Sequence, residues 1–401
     1  MKKSALKNIA CVPNTNLFAM KKSLLVLIGL LLMMAVNLDV KAQKVTITLS
    51  PGWTWISCPW TDTVDFAEAL GTFIPIAGDM IKSQWGYSTY LSSGQWRGAI
   101  SQFYPGYGYM YKSKRTEPVS LLFFKAPTGA INGIFSVSDS TQVCFSQGNL
   151  QYQASSNTWR FADYQWDCIG SDNSNISSDY DGWIDLFGWG TSGYHDTLDL
   201  YNVNYQPWSS SMSLVNGSYN YYGYGPSTNM TDLDFTGTSV NYDWGVYNPI
   251  SNGGNKVNMW RTLTQPEWSY LFNIRTTPSG IRYAKAQVND VNGVILLPDD
   301  WNEAIYSLNN TNTSDASFDS NIISASQWAI LERAGAVFLS TAGNRTGTSV
   351  NAFGIRGLYW SASYNGVFSS RFVYFANSFL YSNSNLGRYY GFSVRLVCNV
   401  E

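Results

Sequence analysis

The chain has 401 residues, of which 45% are hydrophobic and 13% are charged, and its formal net charge is -2. This composition excludes a disordered chain, and without a basic excess it argues against nucleic acid or an anionic membrane surface as a partner. The single histidine, His195, excludes mechanisms and metal sites that need two histidines. No G-x-S-x-G elbow supports a Ser-His-Asp triad, so we interpret His195 as a loop residue.

Residues 1–42 are predicted to be a signal peptide. A short basic run begins at Met20, and thirteen apolar residues follow from Leu24 to Val36, which is too short to span a bilayer comfortably. Small residues near Ala42 fit a cleavage site, so we expect translation to begin at Met20 and the mature chain near Gln43. The sequence therefore predicts export to the periplasm, the cell surface or the medium, with no transmembrane span in the mature chain.

Four cysteines remain after this cleavage: Cys58, Cys144, Cys168 and Cys398. No C-x-x-C spacing indicates a metal site, and an exported compartment permits disulfides. If the ends of the second domain meet, Cys144 and Cys398 could pair, or one of them could pair with Cys168. Free buried thiols are the open alternative.

Residues 43–127 are predicted to form a small β-rich module. Alternating, Gly-punctuated runs indicate short strands, and Asp65 to Leu70 form a helical pattern closed by Gly71. Its aromatic residues are expected to be structural, with an exposed row for sugar stacking as the alternative: Trp53, Trp55, Trp85, Trp96, Tyr107, Tyr109 and Tyr111. The segments GWTWIS, GDMIKSQ and GYMYKS resemble small modules on exported proteins of gut bacteria, which implies a surface accessory role.

Residues 128–401, beyond a Pro- and Gly-containing boundary, are predicted to form an α+β domain with short strands, long loops and two helices. Thr264 and Glu267 fit a capping box before Trp268, Leu271 and Phe272 on one helix face. Ser324 and Gln327 repeat this pattern before Trp328, Ile330 and Leu331. The long segment from Asp167 to Tyr247 is rich in loop residues and suggests ligand-bearing loops.

Carboxylates in and near these loops make calcium the one conceivable cofactor. The candidate oxygen ligands are Asp172, Asp179, Asp181, Asp185, Asp232 and Asp234. They do not form an EF-hand loop, and a solvated acidic turn explains them equally well. We therefore expect no obligatory cofactor.

Five segments of the second domain, in order, resemble a known family. WRTLTQPEW, GVILLPDDW, AGAVFLSTAGNR, YWSAS and YGFSVRLV are similar to the Fibrobacter major paralogous domains, which are related to the C-type lectin-like fold and to the formylglycine-generating enzyme. This resemblance covers about residues 130–401. It implies that the first and last strands of the domain pair, and that Tyr359 to Ser361 and Gly391 to Val397 belong to the framework.

The sequence differs from these families at the residues that carry out their catalysis or bind their ligands. The formylglycine-generating family needs a reactive cysteine pair near its C-terminal end, where this chain has only Cys398, which argues against the oxidase. Gln265-Pro266-Glu267 and Trp301-Asn302-Glu303 echo the calcium-dependent sugar-binding signatures of C-type lectins. The first is better explained as a helix cap.

Residues 351–390 also resemble the segment that diversity-generating retroelements mutate in variable proteins of this fold, because adenine-bearing codons yield much Asn, Ser, Tyr, Phe, Gly and Arg. The predicted ligand-binding residues are Phe353, Arg356, Tyr364, Asn365, Phe368, Arg371, Tyr374, Asn377, Phe379, Tyr381, Asn383, Asn385 and Tyr389. Rigid aromatics supply contact area in such surfaces, and small polar residues supply hydrogen bonds.

The sequence favours a binding protein over an enzyme. The expected function is an exported or cell-surface protein that binds an extracellular protein or a glycan through this C-terminal surface. One alternative is a carbohydrate-active or formylglycine-generating-like enzyme, with acids such as Asp181 and Asp185 as acid and base. The other is a structural or fimbria-associated surface protein whose aromatic patches form subunit interfaces.

Overall fold

The computed structural model describes residues 43–57, 59–60, 62–175, 177, 179–194, 214–215, 218–219, 234–366 and 369–400. Several predictions fall outside the described residues: the signal peptide with Met20, and the residues Cys58, His195, Asp232 and Phe368. Within the described part of the chain, no helix has the length and apolar character needed to span a bilayer.

The first part of the chain forms strands around one short helix. The strands are β1 (Gln43–Leu49), β2 (Gly52–Ser57), β3 (Val64–Asp65), β4 (Met80–Ser83), β5 (Gly86–Tyr90), β6 (Trp96–Gly98), β7 (Gln102–Phe103), β8 (Gly108–Ser113) and β9 (Val119–Lys125), and the helix is α1 (Phe66–Leu70). The largest sheet has the order β2-β8-β4-β5-β6, and β1 pairs with β9. The run from Ile81 to Leu91, which reads as one strand in the sequence, is a hairpin that turns at Gln84 and Trp85.

The prediction that all seven aromatics of this module are structural fits three of them, and the other four are exposed to solvent. Trp96, Tyr109 and Tyr111 pack in or against the module's core. Four others keep at least two-fifths of their surface in solvent: Trp53, Trp55, Trp85 and Tyr107. Strand alternation points Trp53 and Trp55 away from the core, whereas Trp85 and Tyr107 lie outside the strands, in the turns that join them.

The second part contains many short strands. They are β10 (Phe135–Ser136), β11 (Gln142–Phe145), β12 (Leu150–Gln153), β13 (Thr158–Phe161), β14 (Leu214–Val215), β15 (Ser218–Tyr219), β16 (Arg261–Thr262), β17 (Tyr283–Val288), β18 (Val291–Leu296), β19 (Ile322–Ile323), β20 (Val337–Ser340), β21 (Asn344–Thr346), β22 (Ser349–Asn351), β23 (Gly357–Tyr364), β24 (Ser369–Ala376), β25 (Phe379–Gly387) and β26 (Leu396–Val400). Strands account for 38% and helices for 13%, so the protein is β-rich. The finer assignment to a C-type lectin-like fold stays a prediction.

The predicted helix starts are confirmed at α3 (Gln265–Ser269) and α4 (Ala325–Arg333), and a further short helix is α2 (Trp244–Tyr247). Both capping boxes are present, with Thr264 accepting from the Glu267 amide and Ser324 from the Gln327 amide. One π-helical turn, Tyr270–Ile274, extends α3. The predicted apolar faces are buried except at Ile330, which is 47% exposed.

The second strand of the second part, β11, lies beside its last strand, β26, whereas the first strand, β10, pairs with β11. The sheet order is β10-β11-β26-β16, and Cys144 on β11 lies opposite Cys398 on β26. The predicted framework residues Tyr359 to Ser361 and Gly391 to Val397 are all buried. The last strand is therefore an interior strand of its sheet.

The three-stranded sheet β23-β24-β25 is packed on both faces over most of its length. Trp360 and Phe372 belong to one hydrophobic cluster, and Tyr359, Val373 and Phe375 belong to a second one that includes residues of α3. Solvent reaches the end near the β24–β25 turn and the outer strand β25, together with the partly exposed Arg371 on β24 and Tyr364 at the end of β23. This arrangement limits where the C-terminal aromatics can meet a ligand.

The hydrogen-bonded sheets separate near the predicted boundary at residue 127. In the described ranges, no sheet joins any of the strands β1 to β9 to any of the strands β10 to β26. The two parts nevertheless touch, because Lys44 Nζ donates to Gln142 Oε1 at 2.9 Å and Thr72 donates to Asp300. Residues 41–401 group as one compact unit, so the boundary itself stays a prediction.

Candidate ligand-binding surface

Four predicted residues meet at the turn end of the C-terminal sheet, and we call them the turn-end cluster: Arg356, Tyr374, Phe379 and Tyr381. The Phe379 ring lies 4.6 Å from the Tyr374 ring and 5.1 Å from the Tyr381 ring, and the Arg356 guanidinium lies 5.9 Å from the Tyr374 ring centre. Tyr374 is half-buried and packs on the core, whereas Tyr381 is 55% exposed. The cluster is thus a supported aromatic platform with a cation at its edge.

A polar group lies farther along the same two strands. Arg371 on β24 lies opposite Asn385 on β25, and Arg371 Nη1 donates to Asn383 Oδ1 at 2.7 Å. Both asparagines are exposed. A register shift between Phe372 and Tyr374 separates this group from the turn-end cluster. The group offers amide and guanidinium contacts beside an aromatic platform.

Two predicted asparagines hold turns. Asn377 Oδ1 accepts hydrogen bonds from Ser317 Oγ and the Phe318 amide, both at 2.8 Å. Asn365 Nδ2 donates to Ser369 Oγ at 3.1 Å across the β23–β24 turn. These amides fix the backbone that presents their neighbours, so their own side chains are less available to a ligand.

The other three described candidates lie apart from the turn-end cluster. The Phe353 ring lies against Gly170, where a Cβ would come within 3.3 Å of it. Tyr364 lies 5.0 Å from the Arg388 guanidinium, which also lies 5.0 Å from Trp189. Tyr389 stacks on Tyr390 at 4.5 Å. The structure therefore brings about half of the predicted set together and distributes the remainder around it.

Sequence reasoning missed the group that supports the β24–β25 turn from below. Lys285 is buried, and its Nζ donates to the carbonyl of Ala376 at 2.7 Å and to that of Asn377 at 3.3 Å. Burial lowers the pKa of Lys285 to about 8, and Asp315 opposes this shift. An isolated Lys in an alternating strand gives no signal of such a role. Ile355 was missed too, because this exposed side chain is apolar and lies beside Arg356.

The described carboxylates do not assemble into a metal site. Asp185 is buried and accepts from the Ile169 amide and from Asn173, while Asp234 accepts from the Tyr364 amide. Burial raises the pKa of Asp185 to about 6, against the opposing effect of these hydrogen bonds. Within the ranges described, no group of three or more His, Cys, Asp and Glu residues could hold a metal ion. The acids with clear partners serve the loop framework.

The residues that echo lectin and oxidase chemistry also have structural partners. Glu267 is held by both Arg261 Nη atoms at 2.7 and 2.8 Å and by the Thr264 amide at 2.8 Å, which confirms its capping role. Cys398 has a second cysteine beside it, Cys144, which is one of the two neighbours that the sequence left open. Burial raises the pKa of the Cys144 thiol, whereas reactive cysteines need a stabilised thiolate and access to solvent.

No family model, no curated protein and no solved structure matches the chain.

Proposed function

We propose that the protein is exported and binds an extracellular protein or glycan through the turn-end cluster and the neighbouring Arg371 group. One observation carries this proposal. Every described candidate side chain reaches solvent, while the residues between them on the same strands, such as Trp360, Phe372 and Phe375, are buried. A fixed framework with solvent-facing aromatic, amide and guanidinium groups is the arrangement that adaptable binding surfaces use.

The contacts that support these residues explain how such a surface keeps its shape. Lys285 and Asn377 hold the β24–β25 turn, and the Tyr374 ring packs on the core below Phe379. Pre-organised side chains lose less conformational entropy on binding, so more of the contact energy becomes affinity. A binding role also needs no histidine and no assembled metal site.

The test uses the mature chain on arrays of glycans and of extracellular proteins, with and without chelator. A triple variant, Arg356→Ala with Phe379→Ala and Tyr381→Ala, should lose at least tenfold in affinity for any ligand found. The matched control is Tyr164→Ala, because Tyr164 is 58% exposed and lies in the same part of the chain. Equal binding by the triple variant and the wild type would refute the site.

We further propose that residues 351–390 are diversified by a retroelement. The support is that exposed side chains on a packed framework can change identity at little expense to stability. The test is genomic: a neighbouring reverse transcriptase gene and a near-copy of the 3′ coding segment that differs at adenines. If neither is present beside the gene, this part of the proposal is wrong.

Export is tested by fractionating cells and sequencing the N-terminus of the protein. We expect a mature start near Gln43 in the exported fraction. An intact N-terminus on protein confined to the cytoplasm would contradict the proposal.

A further inference from the structure

The outer face of the five-stranded sheet β2-β8-β4-β5-β6 is a second exposed aromatic surface, which we call the outer aromatic face. Register places Trp53 opposite Lys112, Trp55 opposite Met110, and Lys82 opposite Tyr87. Trp55 is 72% exposed and Tyr87 is 54% exposed. The residues between them on the same strands point inward and are buried: Ile56, Ile81, Tyr109 and Tyr111. The sheet thus has one covered face and one bare aromatic face.

A second exposed ring pair lies in the turns at the ends of β4 and β8. Trp85, in the β4–β5 turn, meets Tyr107, just before β8, edge to face at 4.4 Å. Exposed apolar patches of this kind mark interaction sites, since single scattered aromatics rather than clusters are the norm on monomers.

The charge of the outer aromatic face indicates which class of partner would bind to it. Lys82, Arg97 and Lys112 occupy outward register positions, and no Asp or Glu occupies such a position on these five strands. In the described part of the chain, none of these three cations forms a salt bridge. Lys112 lies 5.5 Å from the Trp53 ring centre, so aromatic surface and positive charge are interleaved. The complementary partner is anionic and presents flat, weakly polar faces to the rings.

We propose that the outer aromatic face binds an acidic polysaccharide, a chain of sugar rings that carry carboxylate or sulfate groups. The C–H faces of pyranose rings pack on indole and phenol rings, whose π-faces are electron-rich. Lys and Arg side chains form charge-assisted hydrogen bonds with carboxylates and sulfates. Side chains stand roughly perpendicular to a sheet, so this face has no deep pocket for a single anchor residue. Such a surface fits an extended polymer chain.

The test is affinity electrophoresis of the mature chain in gels that contain polygalacturonate, heparin, or fully methyl-esterified polygalacturonate. We expect retardation by at least one acidic polymer and at least tenfold weaker retardation by the esterified chain, which keeps the sugar backbone without its charge. Trp55→Ala and Tyr87→Ala should each weaken the interaction at least fivefold, as should Lys82→Gln combined with Arg97→Gln. The control is Tyr164→Ala, and circular dichroism checks that each variant folds.

Three results would overturn the proposal: no retardation by either acidic polymer, equal retardation of the Trp55→Ala and Tyr87→Ala variants, or stronger retention by single-stranded DNA or anionic vesicles. Because these variants leave residues 351–390 intact, failure here is distinguishable from failure of the C-terminal binding surface.

A separate observation concerns the two buried cysteines. Cys144 and Cys398 lie directly opposite each other on β11 and β26, and their sulfurs are 2.9 Å apart. A disulfide has a sulfur–sulfur distance of about 2.05 Å, so closing the bond needs a shift of less than about 1 Å. The strands come from the two ends of the second part of the chain, 254 residues apart.

We infer that Cys144 and Cys398 form a disulfide in the functional protein. The two thiols lose two electrons and two protons to the disulfide of an oxidised thiol–disulfide oxidoreductase, or of oxidised glutathione, which becomes a pair of thiols. Refolding of the reduced, denatured chain in the presence of oxidised glutathione, where both thiols are accessible, followed by alkylation in denaturant and peptide mass mapping, should show one linked 144–398 peptide pair.

The variant Cys168→Ala should keep this linkage, and Cys144→Ala should abolish it. Reduction should lower the melting temperature of the wild type but not that of the Cys144→Ala, Cys398→Ala double variant. Full alkylation of both cysteines after the oxidation step would overturn the inference.

Discussion

Two aromatic-rich sheets in this protein differ in how many of their faces are covered. The five-stranded sheet of the first part covers one face with its core and leaves Trp53, Trp55 and Tyr87 in solvent. The β23-β24-β25 sheet is packed on both faces, so most of its aromatics are framework and its most exposed residues lie at its turn end and on its outer strand. Similar residue types are therefore buried framework in one sheet and exposed surface in the other, depending on whether a neighbouring layer covers them.

The largest expected effect contrasts two tryptophans. Trp360 is fully buried, donates from Nε1 to the Phe187 carbonyl at 2.7 Å, and lies 4.3 Å from the Phe392 ring. Trp360→Ala should lower the free energy of unfolding by about 3–5 kcal/mol. Trp55→Ala should change it by less than ~0.5 kcal/mol, because that side chain is largely solvated already. Urea denaturation measures both, and similar losses would break the comparison.

The second prediction concerns the covered face of the first sheet. Asp79 is buried and accepts hydrogen bonds from Tyr111 Oη at 2.6 Å, the Lys114 amide at 2.7 Å and the Ile76 amide at 2.9 Å. Asp79→Ala leaves three donors without this acceptor, so we expect a loss of about 3 kcal/mol. Tyr111→Phe removes one of these bonds and should lose about 1 kcal/mol. Equal losses in the two variants would show that the carboxylate is not the organising group.

The third prediction uses pH to probe the interior beside the C-terminal sheet. Burial raises the pKa of Asp243 to about 6, although Thr262 and the Gly245 amide donate to its carboxylate. Because the folded pKa lies above the unfolded value, the folded state binds more protons between about pH 4 and 6. The stability contribution of Asp243 is complete below this window and is lost as the pH rises through 6.

The measurement is urea unfolding of the wild type and of Asp243→Asn from pH 4 to 6.5. Relative to the variant, the wild type should lose up to about 2–3 kcal/mol over this range. Parallel curves for the two proteins would show that Asp243 does not titrate as this burial demands.

The smallest effects separate two asparagines at the C-terminal surface. Asn377→Ala removes two hydrogen bonds to the segment at Ser317 and Phe318 and should reduce stability by about 1–2 kcal/mol. Asn383→Ala removes one exposed contact with Arg371 and should reduce stability by less than ~0.5 kcal/mol. Thermal unfolding measures both variants. A larger loss for Asn383→Ala would make it framework and exclude it from the replaceable surface.

The sequence predicted the local features well. The capping boxes at Thr264 and Ser324 and the short helix before Gly71 depend on a few neighbouring residues, and each lies where it was expected. Hairpins were harder, since the run from Ile81 to Leu91 carries little turn chemistry apart from Gly86.

What the sequence could not predict depends on distant partners. Alternation shows that a strand has two faces, but not which face another layer covers, so the exposure of Trp55 and Ile330 could not be foreseen. The pairing of Arg371 with Asn385 depends on a register shift. The sequence allowed Cys144 to meet Cys398 or Cys168, and the pairing of β11 with β26 decides between them. The sequence showed that residues 351–390 are rich in polar and aromatic residues. It did not show which of them form the turn-end cluster, which hold turns and which lie apart.

The interior position of strand β26 has a consequence for how the chain is made. Leu396–Val400 lies between β11 and β16, so this sheet stays open until those residues have left the ribosome. A pairing of such long sequence separation is intrinsically slow to form. Until that step β11 lacks its neighbour β26, so we expect this sheet to close late in folding.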